Sequence, residues 1–306
     1  MAVVLALLVV QIIYASGVIL GKFLLPIVPA PVIVSMRMVV ATIAFFAAHR
    51  FIRGTIPRNR GDWARFALLG VLGGAGNQFL ILLGLTRTTA INAAILIPMI
   101  PIFTVIFGWL LRKDKPSALK WLGVAVAGAG TVYLIGPDRV SLEPGVALGN
   151  VLVLTGMAFN ALAFLLSKEM LQRYHPVTVA FCLSAAGLIG ILPFGIGARE
   201  AVNGGALTTT LTLWLVYMVV FPTTVTYFLN LWSLRRASPT LVTSFIYLQP
   251  LFTTAVAPLV LEGERLTARI AIAGAAIFTG VGVVIWAEWR RRTASTVNGQ
   301  RSTGPA

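Results

Sequence analysis

Acidic side chains are scarce in this sequence, and none occupies the middle of a long apolar run. The nine carboxylates, Asp62, Asp114, Asp138, Glu143, Glu169, Glu200, Glu262, Glu264 and Glu288, all fall in polar links or within a turn of the end of such a run. A charge at the centre of a bilayer costs about 2.5–3.5 kcal/mol on insertion scales, so deep ionisable groups are kept for a task. With no carboxylate at that depth, a buried proton or sodium switch has no obvious residue, and neither has a counter-ion for an organic cation. Cysteine is scarcer still. Cys182 is alone, so an intramolecular disulfide is excluded. The two histidines, His49 and His175, lie near the ends of apolar runs with no clustered acid or thiol, which argues against a metal centre or a nucleophilic triad. No cofactor and no catalytic residue is expected. Charge of either sign is thin: 11% of residues are charged against 58% hydrophobic, and the mean hydropathy of +0.91 is outside what a water-soluble chain of this length carries.

A net charge of +15 would point to nucleic acid in a soluble domain. Here the basic residues crowd the ends of apolar spans, which orients a membrane protein and gives no reason for a polyanionic partner. Hydropathy marks ten spans, at 3–24, 32–51, 64–85, 90–111, 118–136, 146–168, 177–197, 212–234, 239–261 and 269–289. The first lacks the basic n-region of a signal peptide and runs on apolar to Leu25, so it reads as a first transmembrane helix. Arg50, Arg53, Arg58 and Arg60 follow span two, Arg112, Lys113, Lys115 and Lys120 follow span four, and Arg290 to Arg292 follow span ten. Alternate links are poor in basic residues. The positive-inside rule then puts both termini in the cytoplasm, as a multi-pass protein of the cytoplasmic (inner) membrane.

The most informative stretch is 89–112, TAINAAILIPMIPIFTVIFGWLLR, opened by Asn92 and interrupted by Pro98 and Pro101. Proline inside a span removes a backbone donor, so such a helix belongs inside a bundle or beside a wet cavity. Residues 238–261 repeat the pattern. A shift of 149 positions, without a gap, superposes Phe79 on Phe228, Arg87 on Arg236, Pro101 on Pro250, Phe103 on Phe252 and Thr104 on Thr253. This reads as an internal duplication: a first five-helix repeat over 1–137, the link 136–145, a second over 146–289, and a disordered cytoplasmic tail over 290–306. Five spans is an odd number, so the second repeat enters from the opposite face. The expected fold is an all-α integral membrane protein of ten transmembrane helices, arranged as two inverted repeats around a central cavity.

Neutral polar residues inside the spans are the candidate substrate contacts: Gln11, Tyr14, Asn77, Gln78, Asn92, Asn160, Tyr227, Asn230, Thr243, Tyr247 and Gln249. For any one of them the plainer role is an interhelical hydrogen bond worth about 0.6 kcal/mol. Arg37, deep in span two, is either a clamp for a substrate anion or a structural bond to helix ends. Pro98, Pro101, Pro222 and Pro250 are the candidate kinks for gating. Glycines in spans three, five and ten, among them Gly70, Gly73, Gly74, Gly123, Gly128 and Gly280, mark close helix contacts or cavity walls.

Ten spans, the inverted duplication, and P-x-F-T at both Pro101–Thr104 and Pro250–Thr253 together resemble the EamA-type branch of the drug/metabolite transporter superfamily. Glu264, Leu266 and Thr267 match its E-x-L-T turn, while Lys113 to Pro116 depart from it. The resemblance implies a secondary carrier, an exporter of small metabolites such as amino acids working by alternating access. A drug carrier or a nucleotide-sugar or nucleoside carrier of the same fold is the alternative. A membrane-embedded enzyme or lipid-handling protein is the outlying reading. The partners implied are a small-molecule substrate and the lipid bilayer, with a homodimer left open.

Overall fold

A computed structural model describes residues 1–88, 96–113, 116–135, 144–260 and 268–301. Within them every regular element is helical. The elements are α1 (Ala2–Leu24), α2 (Ala30–Phe51), α3 (Arg60–Leu69) continued through a π-helical turn (Gly70–Ala75) into α4 (Gly76–Leu85), a 3₁₀ turn (Ile97–Met99) leading into α5 (Ile100–Leu110), and α6 (Ala118–Ile135). There follow α7 (Pro144–Arg173), α8 (Pro176–Gly197), and α9 (Thr209–Val219) continued through a second π-helical turn (Val220–Val225) into α10 (Thr226–Arg236). The last are α11 (Pro239–Ser244), a 3₁₀ turn (Phe245–Tyr247), α12 (Leu248–Val260) and α13 (Ala268–Arg301). Eight of the helical stretches are long and apolar enough to cross a membrane. Hydrocarbon offers no partner to a free N–H or C=O, and a helix satisfies both within itself.

The breaks fall where the sequence removes donors or side chains. Pro250 has no N–H for the carbonyl of Ile246, and the turn before it, Phe245–Tyr247, tightens to 3₁₀ geometry. Pro101 does the same to Ile97–Met99. Pro222 lies within one π turn, and Gly70, Gly73 and Gly74 make up half of the other. At the far end α13 runs on to Arg301 in place of the disordered tail expected after Trp289. Once nucleated, a helix gains one hydrogen bond for each residue it adds. α2 and α5 end alike: Arg53 and Arg112 take positive φ, and Gly54 N and Lys113 N reach back to the carbonyls of His49 and Gly108.

Small residues let particular pairs approach closely. α6 and α13 form the most extensive pairing, with α2 and α8 next. A Cβ built on Gly280 would meet the Gly123 carbonyl oxygen and the Ala127 nitrogen, each at 2.5 Å, so no side chain fits between these backbones. Gly74 lies as tightly on Gly187, and Gly195 on Ser35.

Polar contacts gather at one end of the bundle. Asp62, at the start of α3, accepts bonds from Arg173 Nη1 at 3.0 Å and Tyr174 Oη at 2.7 Å. The bond to Asp62 pushes the Tyr174 phenol above its ordinary value. His49 meets Thr178 at 3.0 Å, Lys113 pairs with Glu169, and Lys168 donates to the Ala237 carbonyl. Beside Ala237, Ser238 caps α11, while its hydroxyl and backbone N–H hold the Glu288 carboxylate at 2.9 and 3.2 Å. Lys120 completes this group, 2.7 Å from Glu288 and 1% exposed. Lys120→Met alone should cost about 3–5 kcal/mol, because it takes the ammonium from a buried carboxylate, and Glu288→Leu should cost a similar amount. The double variant should recover most of that loss. Thermal unfolding in detergent measures all three, and an additive loss in the double variant would rule out the coupling.

Candidate functional site

A cavity of about 230 Å³ lies at the meeting point of the helices. Gln11 and Tyr14 enter from α1, Arg37 from α2, and Asn77 from α4. Asn160 and Ser167 come from α7, Tyr227 and Asn230 from α10, and Gln249 from α12. Pro222 and Thr223 of the second π turn form part of the wall. Gly73 of the first π turn also lies in it, and Ile97, Ile100 and Ile246 belong to a larger apolar lining. Every break in the helices described above therefore contributes a residue to this chamber.

The hydrogen bonds around the second π turn fix its electrostatics. Arg37 Nε donates to Thr223 Oγ1 at 2.6 Å, and Nη2 donates to the Pro222 carbonyl at 3.1 Å. Thr226 Oγ1 bonds the same carbonyl at 2.8 Å and lies 3.1 Å from the Tyr14 hydroxyl. Through this one carbonyl α1 and α2 are tied to the turn. Across the chamber, Asn77 Nδ2 donates to the Gly156 carbonyl at 2.6 Å, joining α4 to α7. The Gln11 carboxamide is 1% exposed, and its oxygen has no hydrogen-bond partner among the described residues. No carboxylate appears among the described residues that line the cavity.

Of the residues singled out from the sequence, Gln11, Tyr14, Arg37, Asn77, Asn160, Pro222, Tyr227, Asn230 and Gln249 meet in this one chamber. Thr243 and Tyr247 stand elsewhere. Thr243 is fully buried and returns its hydroxyl to the Pro239 and Thr240 carbonyls. The Tyr247 hydroxyl lies over Gly128 of α6, where a Cβ would come within 3.2 Å of it. All six residues of α11 are buried, so helical spacing could not say which side faces the chamber. Pro98 and Pro101 are buried at the α5 entry and act through backbone geometry. Pro250 stands beside Gln249 on α12. Asn92 and the side chain of Gln78 lie outside the described residues. Ser167, 3% exposed, is a polar wall residue that the sequence reading passed over. Its signal was present, since Asn160, Ala163, Phe164 and Ser167 recur at helical spacing on one face of α7.

Membrane-crossing helices around an internal chamber define the class, a multi-pass membrane protein. The chain belongs to the EamA-like transporter family, whose model matches residues 1–136 and 147–286. It is 27% identical over 202 residues to an uncharacterized transporter of Archaeoglobus fulgidus, covering 66% of this chain and 69% of that one. It is 26% identical over 212 residues to the uncharacterized transporter YcxC of Bacillus subtilis, covering 66% and 65%. The uncharacterized inner membrane transporter YedA of Escherichia coli is 25% identical over 158 residues, covering 52% and 50%. A solved crystal structure superposes with a TM-score of 0.76 at 17% identity, over 94% of this chain and 98% of the other, which shows a shared fold.

Tyr247→Phe tests the division between chamber and packing. The hydroxyl is buried without a partner among the described residues, so its removal should raise stability by about 1 kcal/mol. Ligand binding should be unchanged, whereas Tyr227→Phe should alter it. A binding defect in Tyr247→Phe measured at intact stability would return Tyr247 to the site.

Proposed function

We propose that the chain is a secondary carrier that exports small metabolites such as amino acids across the cytoplasmic membrane, with both termini in the cytoplasm, by alternating access of one central cavity. The observation that carries this reading is the convergence of neutral polar side chains on a chamber built at the helix breaks. A water-lined pocket is where irregular backbone is tolerated inside a membrane, and paired broken helices are the usual setting of a carrier's binding site.

Ten spans in two inverted repeats are part of the proposal, and several observations support them. The π turns at 70–75 and 220–225 and the 3₁₀ turns at 97–99 and 245–247 recur at nearly the spacing of the sequence duplication. The pairing of α4 with α7 has its counterpart in the pairing of α1 with α10, as an exchange of halves requires. The family match in two stretches, 1–136 and 147–286, agrees with the same division. The polar end of the bundle carries the basic links, which supports its assignment to the cytoplasm.

Counterflow in proteoliposomes tests the carrier reading. Preloading with an amino acid that is carried should accelerate entry of the labelled solute. If no preloaded amino acid does so, the reading fails. Transport should also survive collapse of the proton gradient with most of its rate intact, because Asp62 and Glu288 are ion-paired at the bundle's end and lie outside the chamber. A strict requirement for that gradient, measured with a protonophore, would overturn this expectation.

A further inference from the structure

We infer that Arg37 is an anion-binding residue of the chamber and that the solute carries a carboxylate. The inference rests on the carrier reading for its physiological meaning, although the binding chemistry stands on geometry alone.

A guanidinium has five N–H donors. In Arg37 the bonds to Thr223 and to the Pro222 carbonyl are the ones made among the described residues, which leaves Nη1 without a partner. The side chain is partly exposed and lines the chamber. Those two bonds hold the guanidinium plane against the π turn, so the remaining edge is pre-oriented. That edge has the fork geometry that matches two carboxylate oxygens.

A purely structural role does not account for the charge. The Pro222 carbonyl already has the Thr226 hydroxyl, and any further neutral donor would serve it without placing a cation at this depth. No ion-pair partner of Arg37 is present among the described residues, and no carboxylate lines the chamber to neutralise it. An anionic group on the solute supplies the missing charge. A solute that is cationic overall would meet like charge in a low-dielectric enclosure.

Phenylglyoxal labelling of the purified full-length protein, read by mass spectrometry of the peptide carrying Arg37, tests this without requiring transport. The probes are L-alanine, L-leucine, L-phenylalanine and L-glutamate, each beside its α-amide, which keeps the side chain and amine but lacks the carboxylate. At least one acid should protect Arg37 where its amide does not. Equal protection by acid and amide, protection by none, or an Arg37 that phenylglyoxal cannot reach would each overturn the inference. Counterflow with the same acids separates this outcome from the carrier reading. Arg37→Gln should weaken acid counterflow by about tenfold or more, the loss expected for a charge-assisted bond, and Arg37→Lys should fall between. Unchanged counterflow in Arg37→Gln would sink the anion site and leave the carrier. Acid-specific protection in a wild-type protein that shows no counterflow would leave the site and sink the carrier. Should Arg37→Gln fail to fold, as judged by size-exclusion profile, the wild-type labelling still decides.

Discussion

Hydrocarbon gives a peptide group nothing to bond with, and the rest of this molecule follows from how the chain meets that constraint. Helices meet it automatically. Breaks do not, and every break here is answered by a nearby group or by the chamber. At the second π turn the Pro222 carbonyl takes Arg37 and Thr226, and where α10 gives way to α11 the Ala237 carbonyl takes Lys168. Arg37, which bonds the backbone at the second π turn, is also one of the groups that make the centre polar. Structure and site are not separable at that turn, since the residue that bonds its carbonyl also lines the chamber.

The charges sort by the same logic. Acidic residues among those described that are buried, Asp62 and Glu288, sit at one end and are paired with Arg173 and Lys120. The guanidinium in the chamber has carbonyl and hydroxyl partners instead. Desolvation makes each of these arrangements expensive, and a well-bonded ion pair repays that cost locally. A cation that bonds only neutral oxygen is repaid in part. The difference between the two ends of the bundle and its centre is thus a difference between closed and open electrostatic accounts.

Much of this was legible in the sequence, for reasons that particular residues make plain. Eight of the ten positions marked by hydropathy are membrane-length helices among the described residues, because spans of about 20 apolar residues have one outcome in a bilayer. The breaks followed from Pro101, Pro222 and Pro250, whose missing donors act locally. Arg37 stood out because charge at depth is rare. What could not be read was direction around the helix axis where all faces are covered. Thr243 and Tyr247 share a polar stripe with Thr240 and Ser244, yet α11 is enclosed on every side and the stripe binds its own helix or packs on Gly128. Ser167 escaped notice for the opposite reason: a single small hydroxyl in an apolar helix carries little signal until Asn160 is seen on the same face. The roles of the glycines divided only with neighbours in view, Gly74 and Gly280 against facing backbones and Gly73 in the cavity wall.

The distribution of close contacts also constrains how such a molecule could alternate. Where Gly123 meets Gly280, or Gly74 meets Gly187, backbone lies directly on backbone, and sliding them would forfeit dispersion contacts without replacement. Those pairs are expected to move as units. The π and 3₁₀ turns are the compliant places, because their hydrogen bonds have poorer geometry than the α-helix and exchange register at small cost. These four turns border the chamber, so a bound solute touches the elements whose conformation must change. Differential contact with the two states of a hinge is the means by which a ligand biases a conformational equilibrium. Under an alternating-access reading, the Arg37 bonds to the second π turn are the direct route for that bias, since any anion that draws on the guanidinium also loads Pro222 and Thr223.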